Sequence, residues 1–283
     1  MLSKNVEVFV GCDWEPEEAD TILFGAPFDS TTSYRPGTRF GSGAIRHEAY
    51  GLEDYSPYQD KDLSQVKTAD IGDLELCIGD TKTVLDQIQA CAGEILEAGK
   101  RPFMLGGEHL VTLGAFRAAI KKYPDIHIIH FDAHADLRED YLGMPLSHAC
   151  VLRRCWELAG DGKIFQFGIR SGDRKEFEWG KDHVTTRKFS FEGLEETLER
   201  LKGKPVYFTV DLDVLDPSVF PGTGTPEPGG VSFDELRKAV TLVCSRADVV
   251  ACDVNELSPH YDQSGVSTMA AGKIVREMLL ALG

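Results

Sequence analysis

Three short stretches of this chain concentrate side chains that bind metal ions. Asp132-Ala-His134-Ala-Asp136 follows the apolar run 126–131, Asp211-Leu-Asp213 follows the run 206–210, and Gly106-Gly-Glu-His109 follows the run 103–105. Side chains two apart on an extended chain point to the same side. Asp132, His134 and Asp136 are therefore expected as one set, and Asp211 and Asp213 as another. The paired glycines let the backbone turn tightly before His109. A single aspartate at a strand end commonly forms a turn or caps a helix, but the group has an electrostatic problem. Two carboxylates about 4 Å apart repel by ~4 kcal/mol at an effective dielectric near 20. Four in one pocket need shared protons or cations. Oxygen-rich ligation with two imidazoles suits Mn²⁺ or Zn²⁺, and six ligands exceed what one ion usually takes from protein. Two ions with bridging carboxylates satisfy the count, and the chemistry such ions support is hydrolysis by activated water.

Other candidates carry one or two readings each. His148, in Leu146-Ser-His-Ala149, is a cap or surface residue, or a proton carrier. Glu256, in Asp253-Val-Asn-Glu256-Leu-Ser-Pro259, reads by itself as a solvated strand-end charge. His127 and His130 lie in a buried-looking run, as core histidines or, for His130, as a buttress to a metal shell. His47, His183 and His260 read as structural or exposed, and the acidic stretch 13–20 as a solvated loop. Cys150 sits two residues after His148, but nothing near it in sequence would make it a thiolate. Gly222-Thr-Gly224 is followed by no phosphate-loop continuation and is expected to shape the wall near Asp213.

The elements that position these residues follow from the hydrophobic pattern. Apolar runs at 21–25, 66–71, 102–105, 126–131, 163–167, 183–188, 205–210 and 249–254 alternate with amphipathic stretches. This describes an α/β fold: a single three-layer α/β/α domain over residues 1–283 with a mainly parallel eight-stranded sheet. Ser232-Phe-Asp-Glu235 is a capping box, Gly99 closes a helix beginning near Thr81, and a last helix is expected over 267–282. Ligands in such sheets gather outside the carboxyl ends of the strands, where the polar clusters fall.

Thirty basic against forty-six acidic residues give a formal net charge of −16. That balance opposes nucleic acid and anionic membrane surfaces, and it reads either as plain solubility or as mild steering of a cationic substrate. Seven scattered cysteines without a Cys-x-x-Cys pair read as reduced core residues of a cytoplasmic protein. No apolar run reaches membrane-spanning length, and Met1-Leu-Ser-Lys-Asn5 opens no signal peptide.

The three clusters resemble the metal motifs of the ureohydrolase family, which includes arginase and agmatinase. Pro27-Phe-Asp-Ser-Thr-Thr-Ser-Tyr-Arg-Pro-Gly37, Arg39-Phe-Gly41, Phe167-Gly-Ile-Arg-Ser-Gly172 and Pro221-Gly-Thr-Gly-Thr225 extend the likeness over nearly the whole chain, most closely to bacterial agmatinases. The resemblance implies an arginase-like fold and two Mn²⁺ ions. His109 and Asp136 would hold one, His134 and Asp213 the other, with Asp132 and Asp211 bridging. It also implies Glu256 as guanidinium receiver, Asp136 as acceptor of the hydroxide proton and His148 as proton carrier to the departing amine. Ala135 departs from the family's common Thr, which removes an outer hydrogen bond but no ligand. The implied substrate is a small cationic guanidino compound, agmatine first, giving putrescine and urea. Guanidinobutyrate, arginine and formiminoglutamate are alternatives whose tail carboxylates would want Arg138, Arg153, Arg170 or Arg174. A one-zinc amide deacetylase and a catalytically silent metal-binding regulator are the rival classes. Family members are often trimers or hexamers, so a homo-oligomer is expected.

Overall fold

Runs that are apolar along their whole length pair best where helices cover both faces of the sheet. The computed structural model describes residues 7–283, so the Met1–Asn5 opening lies outside the described residues. The strands are β1 (Thr21–Gly25), β2 (Tyr55–Ser56), β3 (Lys61–Asp62), β4 (Thr68–Asp73), β5 (Arg101–Leu105), β6 (His127–Phe131), β7 (Ile164–Ile169), β8 (Thr185–Lys188), β9 (Pro205–Asp211) and β10 (Asp248–Asn255). The helices are α1 (Gly41–Ala49), α2 (Thr81–Glu97), α3 (Val111–Lys122), α4 (Val151–Ala159), α5 (Arg174–His183), α6 (Leu194–Arg200), α7 (Phe233–Arg246) and α8 (Val266–Leu282). Eight strands form one sheet in the order β4-β1-β5-β10-β9-β6-β7-β8, every neighbouring pair parallel. Each of the eight apolar runs became one of these strands.

Alternate residues of a strand feed opposite layers. Leu23, Phe103, Ile129, Phe208 and Val254 pack with α1, α6, α7 and α8. Ile22, Phe24, Met104, Ile128 and Tyr207 pack with α2, α3 and α4. The helix signals hold too. Ser232 Oγ caps Glu235 N–H with the reciprocal bond present, and Gly99 follows α2 at φ +78°. The short hairpin β2–β3 was not expected. It is held to α8 by Ser56 Oγ and Gln59 Nε2, both donating to Glu277 Oε2 at 2.8 Å. Among the described residues, no helix is long and apolar enough to cross a membrane.

The strand order decides which polar ends become neighbours. β5, β10, β9 and β6 lie side by side at the centre of the sheet, although the chain leaves β5 for β6 before returning to make β9 and β10. Their carboxyl ends bring His109, Glu256, Asp211 and Asp132 to one edge.

Candidate active site

The turn after β5 is built from close backbone approaches. A Cβ on Gly107 would lie 2.0 Å from Phe28 O, and one on Gly106 would lie 1.8 Å from Asn255 Oδ1. Freed of side chains, the turn is pinned on both sides. Glu108 N–H donates to Phe28 O (2.7 Å), Gly106 N–H to Val254 O (2.8 Å), and Glu256 N–H to Gly107 O (2.9 Å). His109 N–H in turn donates to Glu256 Oε1 at 2.7 Å.

The same-side arrangement expected for the two aspartate segments is present, but its cause differs from the extended chain assumed. β6 ends at Phe131, before Asp132, and a 3₁₀ turn begins at Leu212. Each leading aspartate instead folds the chain over itself. Asp132 Oδ1 accepts His134 N–H at 2.6 Å, and Asp211 Oδ1 accepts Asp213 N–H at 2.8 Å. Such turns compete successfully with strand pairing where the sheet ends. Asp136 and Glu256 both adopt left-handed backbone, at φ +53° and +67°. That conformation is costly for non-glycine residues, and it concentrates at functional positions.

All six expected metal-binding side chains meet. His109 Nδ1 lies 3.1 Å from Asp132 Oδ2, 3.2 Å from Asp136 Oδ2 and 3.5 Å from Asp211 Oδ2. His134 Nδ1 lies 3.1 Å from Asp213 Oδ2 and 3.5 Å from Asp132 Oδ1. Asp132 thus turns one oxygen to each histidine. Atoms at ~2.1 Å from one ion and at right angles around it stand ~3.0 Å apart, so both groups are dimensioned to hold a divalent cation. Two overlapping sets of donor atoms can hold an ion: Asp132, His134 and Asp213 form one, and His109, His130 and Asp132 the other. His130, however, is already committed. Gln166 Nε2 donates to its Nδ1 (3.1 Å) and its Nε2–H donates to Asp132 Oδ2 (2.8 Å), the buttress reading rather than a ligand.

His109 is oriented in the same manner from beneath. Thr209 Oγ1 donates to the buried Asp253 carboxylate at 2.5 Å, so toward His109 Nε2, 2.9 Å away, it offers a lone pair. Nε2 carries the proton and Nδ1 is left free for a cation. Sequence reasoning passed over Thr209 and Asp253. The signal that could have found Thr209 was period two, since it precedes Asp211 by two residues on β9.

Electrostatics makes the same demand for positive charge. Burial pushes Asp211 well above the usual carboxylate range, with Asp213, Asp132 and Glu256 adding repulsion. Burial and Asp132 raise Asp136 to about 7. Burial, then Asp213, lifts Glu256. Burial would raise Asp132 as well, but His130, His109 and His134 around it hold it well below its ordinary value. Among the described residues, the ion pairs made by Asp132, Asp136, Asp211 and Asp213 are all with imidazoles, never with Lys or Arg.

A cleft of about 150 Å³ opens on this edge, lined by His109, His134, Asp136, His148, Asp211 and Glu256 among others. His148 Nδ1 faces Thr31 O at 3.0 Å and so must donate there, which leaves Nε2 as the basic atom, 3.5 Å from Ser33 Oγ. Burial pushes His148 down to about 4. Cys150 is fully buried and burial pushes its thiol up to about 12, the opposite of an activated nucleophile. Thr225 Oγ1 reaches Asp213 Oδ2 at 3.3 Å, so the 222–225 loop does wall that side. Of the four arginines considered for a tail carboxylate, Arg170 is consumed by the carbonyls of Asp213, Val214, Leu215 and Glu227. Arg153 lies over the Trp179 ring at 3.7 Å and Arg174 is exposed. Arg138 alone lines the cleft, and it already faces Asp173 and Glu176, each at 3.4 Å.

Residues 19–281 match the family model described as the arginase family. The chain belongs to that family. It is 49% identical to the agmatinase of Bacillus subtilis (strain 168) over 97% of this chain and 96% of that protein. A crystal structure of a putative agmatinase from Clostridium difficile, 50% identical, covers 95% of this chain and 98% of its own with a TM-score of 0.93. The agmatine ureohydrolase of Thermoplasma volcanium, 35% identical, covers 99% and 95% with a TM-score of 0.89. The chain is therefore an arginase-like amidinohydrolase, a class of enzyme that cleaves C–N bonds other than peptide bonds.

Proposed function

We propose that this protein hydrolyses agmatine to putrescine and urea with a pair of divalent metal ions, Mn²⁺ foremost. The observation that carries the reading is Asp132 turning one oxygen to His109 and the other to His134, in a largely buried cluster whose aspartates, among the described residues, pair with no Lys or Arg. His109 and Asp136 would hold one ion, His134 and Asp213 the other, with Asp132 and Asp211 shared. When bound, such ions lower the pKa of water from 15.7 toward ~7 and so supply a nucleophile that a resonance-stabilised guanidinium requires.

The chain's own residues do the rest. Glu256 keeps Oε2 free while Oε1 accepts His109 N–H, so its carboxylate can receive two guanidinium N–H groups and aim the central carbon at the cluster. The left-handed backbone at Glu256 fixes that aim. Asp136, beside His109 at the floor of the cleft, would take up the proton released on attack. His148 presents Nε2 to the cleft and carries a proton to the departing amine.

The tail preference has its own support. Arg138 is faced by two carboxylates, a trio of net charge −1, and a tail carboxylate would have to displace one of them. A tail ammonium meets no such competitor, which favours agmatine over guanidinobutyrate, arginine or formiminoglutamate. We further take residues 1–283 as one ureohydrolase domain, working in the cytoplasm as a trimer or hexamer of identical chains. The test is urea release by Mn²⁺-loaded protein from agmatine, arginine and guanidinobutyrate in parallel. Agmatine should lead in kcat/KM by at least about tenfold, ~1.4 kcal/mol. Equal rates would defeat the substrate assignment, and no turnover by fully metallated protein would leave a silent metal-binding protein.

A further inference from the structure

Glu108 sits between a glycine and the cluster histidine of the Gly106-Gly-Glu-His109 turn, yet points away from the cluster. It is fully buried. Its oxygens accept three donors from one distant segment: Thr31 N–H at 2.8 Å, Thr32 Oγ1 at 3.2 Å, and Thr31 Oγ1 through a short hydrogen bond. The main chain of Glu108 grips the same segment, donating to Phe28 O at 2.7 Å.

That segment in turn holds His148. Thr31 Oγ1, its proton committed to Glu108, accepts His148 N–H at 3.1 Å. Thr31 O accepts His148 Nδ1–H at 3.0 Å. Thr31 is thus saturated on both sides: N–H and Oγ1–H go to Glu108, while both oxygens go to His148. Beyond Thr31 the ring meets Ser147 Oγ, 3.3 Å from Nδ1 and able to donate or accept, the Tyr141 ring edge-on with centroids 5.8 Å apart, and exposed Ser33 Oγ at 3.5 Å, none of which fixes a tautomer.

We propose that Glu108 is a positioning residue for His148: through Thr31 it locks the imidazole as the Nδ1–H tautomer with Nε2 turned to the cleft. The inference rests on the functional reading above for its effect on rate, but not for its effect on the ring. A carboxylate is required because only an acceptor without protons can take three donors from one segment. Glutamine at the same position has the shape, but its NH₂ would either oppose Thr31 N–H or donate to Thr31 Oγ1 and turn that hydroxyl's proton away, so the three donors are no longer all accepted.

Two variants and two readouts test it. In Glu108→Gln and Thr31→Val, kcat should fall by about thirtyfold or more, with KM within about threefold and the Mn²⁺ stoichiometry unchanged. Thr31→Ser, which keeps the hydroxyl, should stay within about threefold of the parent. In a His148→Ala background, Glu108→Gln should cost less than about twofold further, because the ring it positions is gone. Independently of turnover, ¹⁵N shifts of the His148 ring in Mg²⁺-loaded parent should report a protonated Nδ1, giving way to a tautomer mixture in Glu108→Gln and Thr31→Val. If no guanidino compound is turned over, the functional reading fails while the ring shifts still decide this one. An equal loss of kcat with and without His148, or a parent-like tautomer in both variants, would overturn it.

Discussion

Replacing Asp132 by Asn tests whether one carboxylate ties the cluster together. Both of its oxygens accept N–H groups: Oδ2 from His130 Nε2 at 2.8 Å, and Oδ1 from the His134 backbone at 2.6 Å. An amide must therefore turn its NH₂ against one of these donors, whichever way it flips. Facing donors at a fully buried side chain cost about 1–3 kcal/mol. The lost charge matters more. One unit charge 4 Å from another contributes ~4 kcal/mol at an effective dielectric near 20, so weakening of about three decades in affinity is the floor for each ion that Asp132 serves. Metal-stripped Asp132→Asn titrated with Mn²⁺ by calorimetry, then dialysed and assayed by elemental analysis, should retain less than one ion per chain. Urea release should fall below about 1% of the parent. Asp125→Asn removes an equal charge from an exposed carboxylate pairing with Lys163 and Lys204, and should change neither quantity. Two ions per chain and a tenth of the parent activity in Asp132→Asn would refute the bridging role.

The pH response of metal binding has a definite sign. In the metal-free fold, burial raises Asp136 to about 7, and His109 and His134 are raised by neighbouring carboxylates despite burial. The folded apo protein thus holds protons that an unfolded Asp releases near 4, and loses stability as pH rises from ~4 through ~7. Metal replaces those protons. The Tm increase on adding Mn²⁺ should accordingly be larger at pH 8 than at pH 6, and the reverse order by scanning calorimetry would contradict the assignment. Gly107→Ala should push the new Cβ into Phe28 O, displacing the turn that carries His109. A loss of about 3 kcal/mol or more in urea denaturation, with weakened Mn²⁺ binding, is expected, and a variant as stable as the parent would show the turn to be slack.

How much of the molecule is legible from residues alone depends on the range of the interaction. Each of the eight apolar runs became a strand because a parallel strand covered on both faces is apolar along its length, a purely local signature. Their order carried no such mark. β9 and β10 insert between β5 and β6 only because two crossovers return the chain to the middle of the sheet, so the adjacency of His109, Glu256, Asp211 and Asp132 is a property of topology. The hairpin β2–β3 escaped because two-residue strands have no period to detect, and what holds them is Glu277, more than 200 residues away.

Within the site the division is chemical. A carboxylate or imidazole at a strand end announces itself, whereas the groups that aim it are ordinary threonines, a glutamine and buried acids. Thr209 and Asp253 under His109, Gln166 and His130 under Asp132, and Thr31 and Glu108 behind His148 share one logic. In each, a donor or acceptor whose other hydrogen bonds are already fixed dictates which nitrogen of a ring carries the proton. His109 and His148, each with one ring nitrogen committed as a donor, keep one lone pair in one direction, whereas His130 has both nitrogens occupied and serves to orient Asp132. The cluster is thus set to receive cations by proton positions decided several ångströms away, and those proton positions are what a reading of residue types along a chain does not contain.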